Sequence, residues 1–214
     1  MHNSVKNLIN IKDKINNATN ATPIIIAVSK KFEQKDIVPL LDFGHQHFGE
    51  NKVQECMLKW HELKYNYENV KLHMIGNLQT NKVKDCLKYF DFIHSVDSKK
   101  LAKKIYDEQI KQNKKVKIFI QINIGNENQK SGVKILDLED LLMYCNSLKL
   151  EVIGFMCIPP NMDNSRNYFS EMNDLKNKHN LKNLSMGMSS DYIEAIKNSS
   201  NYIRIGTDIF GKRN

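Results

Sequence analysis

Residues 24–30 read Ile24-Ile25-Ile26-Ala27-Val28-Ser29-Lys30: an apolar, largely β-branched run that stops abruptly at a hydroxyl and an amine. Such a run is the pattern of a strand buried on both faces, as in parallel sheets covered by helices. Similar short runs occur at 45–48, 70–74, 92–95, 116–122, 150–155, 183–186 and 202–205. Between them the apolar positions take helical spacing, as in Ile37, Leu40 and Leu41 ahead of Gly44, in Val53, Met57 and Trp60, and in Leu101, Ile105 and Ile110. Further helices are expected over 136–148 and 168–178. Eight strands alternating with helices in 214 residues predict an α/β fold closed as a single (β/α)8 barrel of the TIM type. An open doubly wound sheet is the competing architecture, but no G-x-G-x-x-G or G-x-x-x-x-G-K-S/T stands at a strand-to-helix turn. No repeat or linker divides the chain, so residues 1–214 are expected to form one domain.

Composition narrows the class. No apolar run approaches the roughly 20 residues that span a bilayer, and the polar, helix-like N-terminus lacks the apolar centre of a secretory signal. A cytoplasmic location is expected, with no membrane partner. Cys56, Cys86, Cys145 and Cys157 stand far apart without C-x-x-C or zinc-like spacing, so they read as buried thiols and no metal site is expected. The net charge of +8 invites a polyanion partner, yet the lysines are spread over nearly every helix without an aromatic-basic platform. Nucleic acid is therefore not the expected partner.

In a (β/α)8 barrel the chemistry collects at the C-terminal ends of the strands. Lys30 follows the first strand directly, where partial burial lowers an ammonium's pKa and a neutral amine can attack an aldehyde to form an imine. A strand-end lysine that snorkels into solvent is the alternative, and Lys31 fits that description better. The loops after strands seven and eight form the usual phosphate site of such barrels. There Gly187 permits close backbone approach, Ser189 offers a hydroxyl, and Gly206-Thr207 adds backbone N–H groups and a second hydroxyl. Alternatively the glycines only shape turns and Ser189 only caps a helix over 191–197. Arg204 should face the barrel interior if Ile203 and Ile205 face the helices, and its buried guanidinium needs a partner. A carboxylate such as Glu50 is one candidate.

Several longer segments carry a resemblance. They are Ala27-Val28-Ser29-Lys30, Phe48-Gly49-Glu50-Asn51-Lys52-Val53-Gln54-Glu55, His73-Met74-Ile75-Gly76-Asn77-Leu78-Gln79-Thr80-Asn81-Lys82 and Gln121-Ile122-Asn123. To these add Lys130-Ser131-Gly132, Leu184-Ser185-Met186-Gly187-Met188-Ser189 and Arg204-Ile205-Gly206-Thr207-Asp208-Ile209-Phe210-Gly211. Together, in this order over about residues 24–211, they resemble the pyridoxal 5'-phosphate (PLP) homeostasis protein family. The resemblance implies a barrel like the N-terminal domain of alanine racemase, with PLP held covalently as a Schiff base on Lys30. It further implies that Ser189 and the Gly206-Thr207 turn hold the phosphate, that Arg204 approaches the pyridine nitrogen, and that Asn51 and residues 73–76 line the ring pocket. The implied cofactor set is Lys30, Asn51, His73, Ile75, Gly76, Met186, Ser189, Arg204, Gly206 and Thr207. Lys31-Phe32 and Asn77 depart from the family pattern.

The expected activity is to buffer or deliver PLP, possessing no catalytic residue, as a monomer whose other partners are PLP-dependent apo-enzymes. A weak amino-acid racemase is the enzymatic alternative, and an RNA- or partner-binding barrel the non-enzymatic one. Racemisation wants a protonated pyridine as electron sink, which a neighbouring Arg204 guanidinium would disfavour.

Overall fold

The computed structural model describes residues 1–127, 129–160 and 165–211. The chain opens with α1 (Asn3–Ala18) and then alternates strand and helix. The first half holds β1 (Ile24–Val28), α2 (Gln34–Asp42), β2 (His47–Glu50), α3 (Val53–Asn66), β3 (Lys71–Met74), α4 (Val83–Tyr89), β4 (Phe92–Val96) and α5 (Lys99–Gln112). The second holds β5 (Lys117–Ile122), α6 (Leu138–Ser147), β6 (Glu151–Cys157), α7 (Ser165–Lys178), β7 (Asn183–Ser185), α8 (Tyr192–Lys197), β8 (Tyr202–Ile205) and α9 (Thr207–Phe210). All eight strands are parallel and close in sequence order, β8 returning to β1 with Ile24 opposite Tyr202 and Ala27 opposite Ile205. The fold is the expected (β/α)8 barrel.

Strand alternation splits the apolar residues into two cores. Ile25, Ala27, Ile203 and Ile205 point outward and pack under the helices. Ile26, Phe92, Phe119, Met156 and Tyr202 point inward and fill the barrel itself. Helix α9 has only four residues, too short to cover the seam between β8 and β1. The N-terminal helix α1 supplies that cover: it packs against α9 and α2, burying Val5, Leu8, Ile11 and Ile15, and Asn7 Nδ2 donates to the Ile209 carbonyl.

The strand boundaries shift in one instructive place. The second strand, expected at 45–48, runs two residues later because Gly44 (φ +87°) and His45 donate their N–H groups back to Leu41 and Leu40 and terminate α2. Polar Gly49 and Glu50 are thereby strand residues. The four cysteines are buried thiols, and burial pushes Cys145 up to about 11 and Cys157 up to about 12, far from thiolate chemistry. Among the described residues no helix is long and apolar enough to cross a membrane.

Candidate functional site

A cavity of about 850 Å3 opens at the C-terminal ends of the strands. Its wall takes Lys30 from the end of β1, Asn51 after β2, Ile75 and Gly76 after β3, and Gln121 on β5. Ser189 follows β7, Arg204 stands on β8, and Gly206 and Thr207 follow it. Eight of the ten residues implied by the resemblance thus meet in one place.

Lys30 is delivered by a tight turn. The Phe32 N–H donates to the Ser29 carbonyl across it, and Lys31 adopts a left-handed φ of +65°, a conformation that costs a non-glycine residue about 1 kcal/mol. What holds the turn in place comes from α3. Lys59 Nζ donates to the same Ser29 carbonyl at 2.7 Å and pairs with Glu50 at 2.8 Å and Glu55 at 3.1 Å, while the Lys31 N–H donates to Glu55. Glu50 is wholly buried and accepts from Ser29 Oγ at 2.7 Å and Trp60 Nε1 at 3.0 Å. Lys31 is exposed, whereas Lys30 turns into the cavity. Phe32 stacks on Phe210 with ring centres 4.7 Å apart, tying this turn to the end of α9.

The adjoining wall is built from the ends of β7 and β8, the latter paired with β1. Gly187 takes a φ of +91°, and a Cβ there would lie 2.6 Å from the Ala195 side chain, so the close turn requires glycine. Helix α8 starts after Asp191, whose carboxylate accepts from the Met188 N–H at 2.6 Å. Ser189 is therefore not the cap; it lies on the cavity wall beside Met188 and Ser190. A third segment, after β5, borders the same space. There Gln121 Nε2 donates to the Ser131 carbonyl and Asn77 Nδ2 donates to Ser131 Oγ, so Asn77 bridges two loops across the rim. Gly132 (φ +122°) is needed because a Cβ would lie 2.5 Å from the Asn123 nitrogen.

Arg204 faces inward as expected, only 4% exposed, but its partner is not Glu50. Glu50 lies outside the barrel wall under α3, with Lys59 and Trp60. Arg204 instead donates from Nη1 to Ser185 Oγ at 2.8 Å and from Nη2 to the Cys157 carbonyl at 2.9 Å. Two residues of the implied set lie away from the cavity wall. Met186 is fully buried in the outer core. His73 sits deeper in the barrel, stacked on Phe92, where its ring nitrogens meet His47 Nδ1 and His94 Nε2 at 2.9 Å each. His94 Nδ1 in turn meets Ser185 Oγ at 2.8 Å. The sequence reading gave no role to His47 or His94 and quoted Ser185 only within a motif, although the spacing from inward-facing Phe92 marks His94 as inward too. Burial holds His73 and His94 well below the usual imidazole range, so both rings are neutral.

The donor set suits a phosphorylated aromatic aldehyde: an amine at the end of β1, hydroxyls and the start of α9 on the adjoining wall, and a guanidinium on the floor. Gly76 packs directly on the neighbouring wall segment, since a Cβ there would lie 2.3 Å from the Asn51 carbonyl, so the close approach of these two segments requires glycine.

Barrel, strand-end lysine and paired loops after β7 and β8 define a class of protein, the one built on the barrel of the racemases. The sequence matches the family described as alanine racemase, N-terminal domain, over residues 5–214. The chain belongs to that family and, within it, to the pyridoxal phosphate homeostasis proteins. It is 37% identical to the pyridoxal phosphate homeostasis protein of Aquifex aeolicus (strain VF5), covering 88% of this chain and 86% of that one. The corresponding protein of Escherichia coli (strain K12) is 33% identical, covering 100% and 98%. PipY of Synechococcus elongatus PCC7942, solved with PLP bound, superposes with a TM-score of 0.87 at 29% identity, covering 97% of this chain and 100% of that one. An alanine racemase of Clostridium difficile 630 shares the fold at 17% identity and a TM-score of 0.76, this chain matching 57% of its length.

Proposed function

We propose that residues 1–214 act as one PLP-binding barrel domain that holds the cofactor as a Schiff base on Lys30 and buffers or delivers it, without turning over a substrate. The observation that carries this reading is the convergence of Lys30, Arg204, Ser189 and Thr207 on one cavity. When bound, PLP supplies a reactive aldehyde and a phosphate. Lys30 masks the aldehyde; Ser189, Thr207 and the backbone at Gly206 hold the phosphate; Ile75, Gly76 and Asn51 flank the ring. Arg204 is a permanent cation at the cavity floor and opposes protonation of a ring nitrogen beside it, which favours a carrier over a racemase. A cytoplasmic monomer that hands PLP to apo-enzymes completes the reading.

Borohydride reduction of the PLP-loaded protein followed by peptide mapping tests it. The label is expected on Lys30, and Lys30→Ala is expected to lose the imine absorbance while keeping the wild-type fold by circular dichroism. Label on Lys31 or Lys130, or no label on a folded protein, would refute the reading.

A further inference from the structure

Arg204 is a buried cation whose hydrogen-bond partners are neutral. The ion pairs of the described residues do not include it, and Asp191 acts on it only from a distance. Beneath it the barrel interior holds an unbroken line of polar groups: Ser185, His94, His73 and His47. His73 and His94 are wholly buried, and the line ends at half-buried His47 on the first residue of β2, toward the N-terminal mouth.

The chemistry of the donors fixes which way the protons point. A guanidinium only donates, so Ser185 Oγ accepts from Arg204. That oxygen could accept a second hydrogen bond, but its own buried proton would then lack an acceptor; its other partner among the described residues is His94 Nδ1, and donation to it satisfies the hydroxyl proton. A hydroxyl that accepts from a cation is polarised into a better donor, which strengthens this order. His94 then carries its own proton on Nε2 and donates to His73 Nδ1, and His73 likewise donates from Nε2 to His47 Nδ1. Each ring thus turns its lone-pair side up toward the guanidinium and its N–H away from it. Aligned neutral dipoles offset part of the cost of burying the charge without neutralising it. A carboxylate in their place would occupy the guanidinium fork and cancel its field at the cavity.

We infer that Ser185, His94, His73 and His47 are positioning residues for Arg204, a neutral column with a single proton order that fixes the guanidinium and leaves its other N–H groups for an acceptor in the cavity. Two of the five N–H groups are spent on Ser185 and Cys157. The identity of that acceptor, a ring nitrogen, rests on the PLP reading; the proton order needs no ligand.

Two measurements test this separately. In 15N-labelled protein without PLP, long-range 1H–15N correlation spectra at pH 7.5 should show His94, His73 and His47 all protonated on Nε2 with bare Nδ1, and His73 and His94 unchanged at pH 6. An Nδ1–H tautomer at any of the three, or an imidazolium at His73 or His94 at pH 6, would overturn the inference. In the second measurement PLP is titrated into Ser185→Ala, which cuts the column from Arg204, and into Ser185→Thr, which keeps the hydroxyl. The alanine variant should bind PLP about tenfold more weakly, the loss of one hydrogen bond to a charged group, and the threonine variant should restore most of it. Wild-type affinity together with an unchanged His94 tautomer in Ser185→Ala would also overturn it. If that variant fails to fold, the spectra of the wild type decide alone. A wild type that binds no PLP yet shows the predicted tautomers would refute the PLP reading and leave the column standing.

Discussion

Two buried cations flank the cavity and are compensated in opposite ways. Lys59 lies outside the barrel wall, on α3, and is surrounded by Glu50, Glu55 and the Ser29 carbonyl. Arg204 lies inside, and meets a hydroxyl and a carbonyl backed by neutral imidazoles. The Lys59 set is an ion-pair cluster, one ammonium between two carboxylates, and what it contributes to the site is mechanical, a braced turn that carries Lys30. The Arg204 set is left electrostatically open at its upper end, where the cavity begins. One cation braces the turn that bears Lys30 and the other faces the cavity, on opposite sides of the sheet.

The contrast breaks first under acid. His45, His73 and His94 are neutral in the fold, burial pushing His45 down to about 4 and the other two well below the ordinary 6.5. The unfolded chain takes up protons below that value and the folded chain does not, so stability present above pH 6.5 is lost as pH falls. The expected loss between pH 7.5 and pH 5 is about 2 kcal/mol for His45, and His73 and His94 add to it in the same direction. Urea midpoints at pH 7.5, 6 and 5 measure it. A flat profile would mean that the interior rings are charged or exposed.

Next in size is the direct comparison of the two cations. Lys59→Met strands the buried Glu50 carboxylate, whose Oε2 already has no partner, and should cost about 3–5 kcal/mol of stability. Arg204→Met strands only the Cys157 carbonyl and the Ser185 hydroxyl while removing an uncompensated charge, and should cost about 1–3 kcal/mol. Its larger effect should fall on PLP affinity. Urea unfolding with PLP titration of both variants sharpens the contrast, and equal destabilisation by the two would dissolve it.

How much of this was legible in the sequence follows from which interactions are local. The strand runs and the helical spacing are local, so the closed barrel could be read from them, and the polar residues just beyond each run gave the cavity wall. Glu50 was misplaced because a carboxylate at a strand end reads as site chemistry. That it is a strand residue, outward under Trp60 on the same face as Phe48, follows from β2 running two residues later, past the Gly44 turn, to Glu50. His73 was assigned to the ring pocket through the family resemblance alone. Its partners, His47 and His94, come from neighbouring strands, and only the register that sets Gly49 opposite His73 and Phe92 opposite His73 brings the rings together. The alternation Phe92-x-His94 and Tyr202-x-Arg204 did carry the signal that these side chains share the interior. The Lys59 contribution was hidden altogether, since a lysine on an amphipathic helix reads as solvated surface until the carboxylates beneath it are known.

The smallest expected effect on the fold, and the most selective for the ligand, lies in the loops after β7 and β8. Ser189 is half-buried and Thr207 exposed, and neither hydroxyl contributes to the cores or caps a long helix. Ser189→Ala and Thr207→Val should therefore change stability by no more than about 0.5 kcal/mol. Each removes a hydrogen bond to a charged acceptor if the phosphate sits where proposed, an interaction of about 1.5–3 kcal/mol, or roughly 10- to 150-fold in PLP affinity. Imine absorbance at saturating PLP should survive in both, because Lys30 and the turn that α3 holds are untouched. Pyridoxal, which lacks the phosphate, should bind wild type and variants alike. Direct titration with PLP and with pyridoxal separates these outcomes: a variant that weakens both ligands equally has disturbed the cavity as a whole, and unchanged PLP affinity in both variants moves the phosphate to another wall.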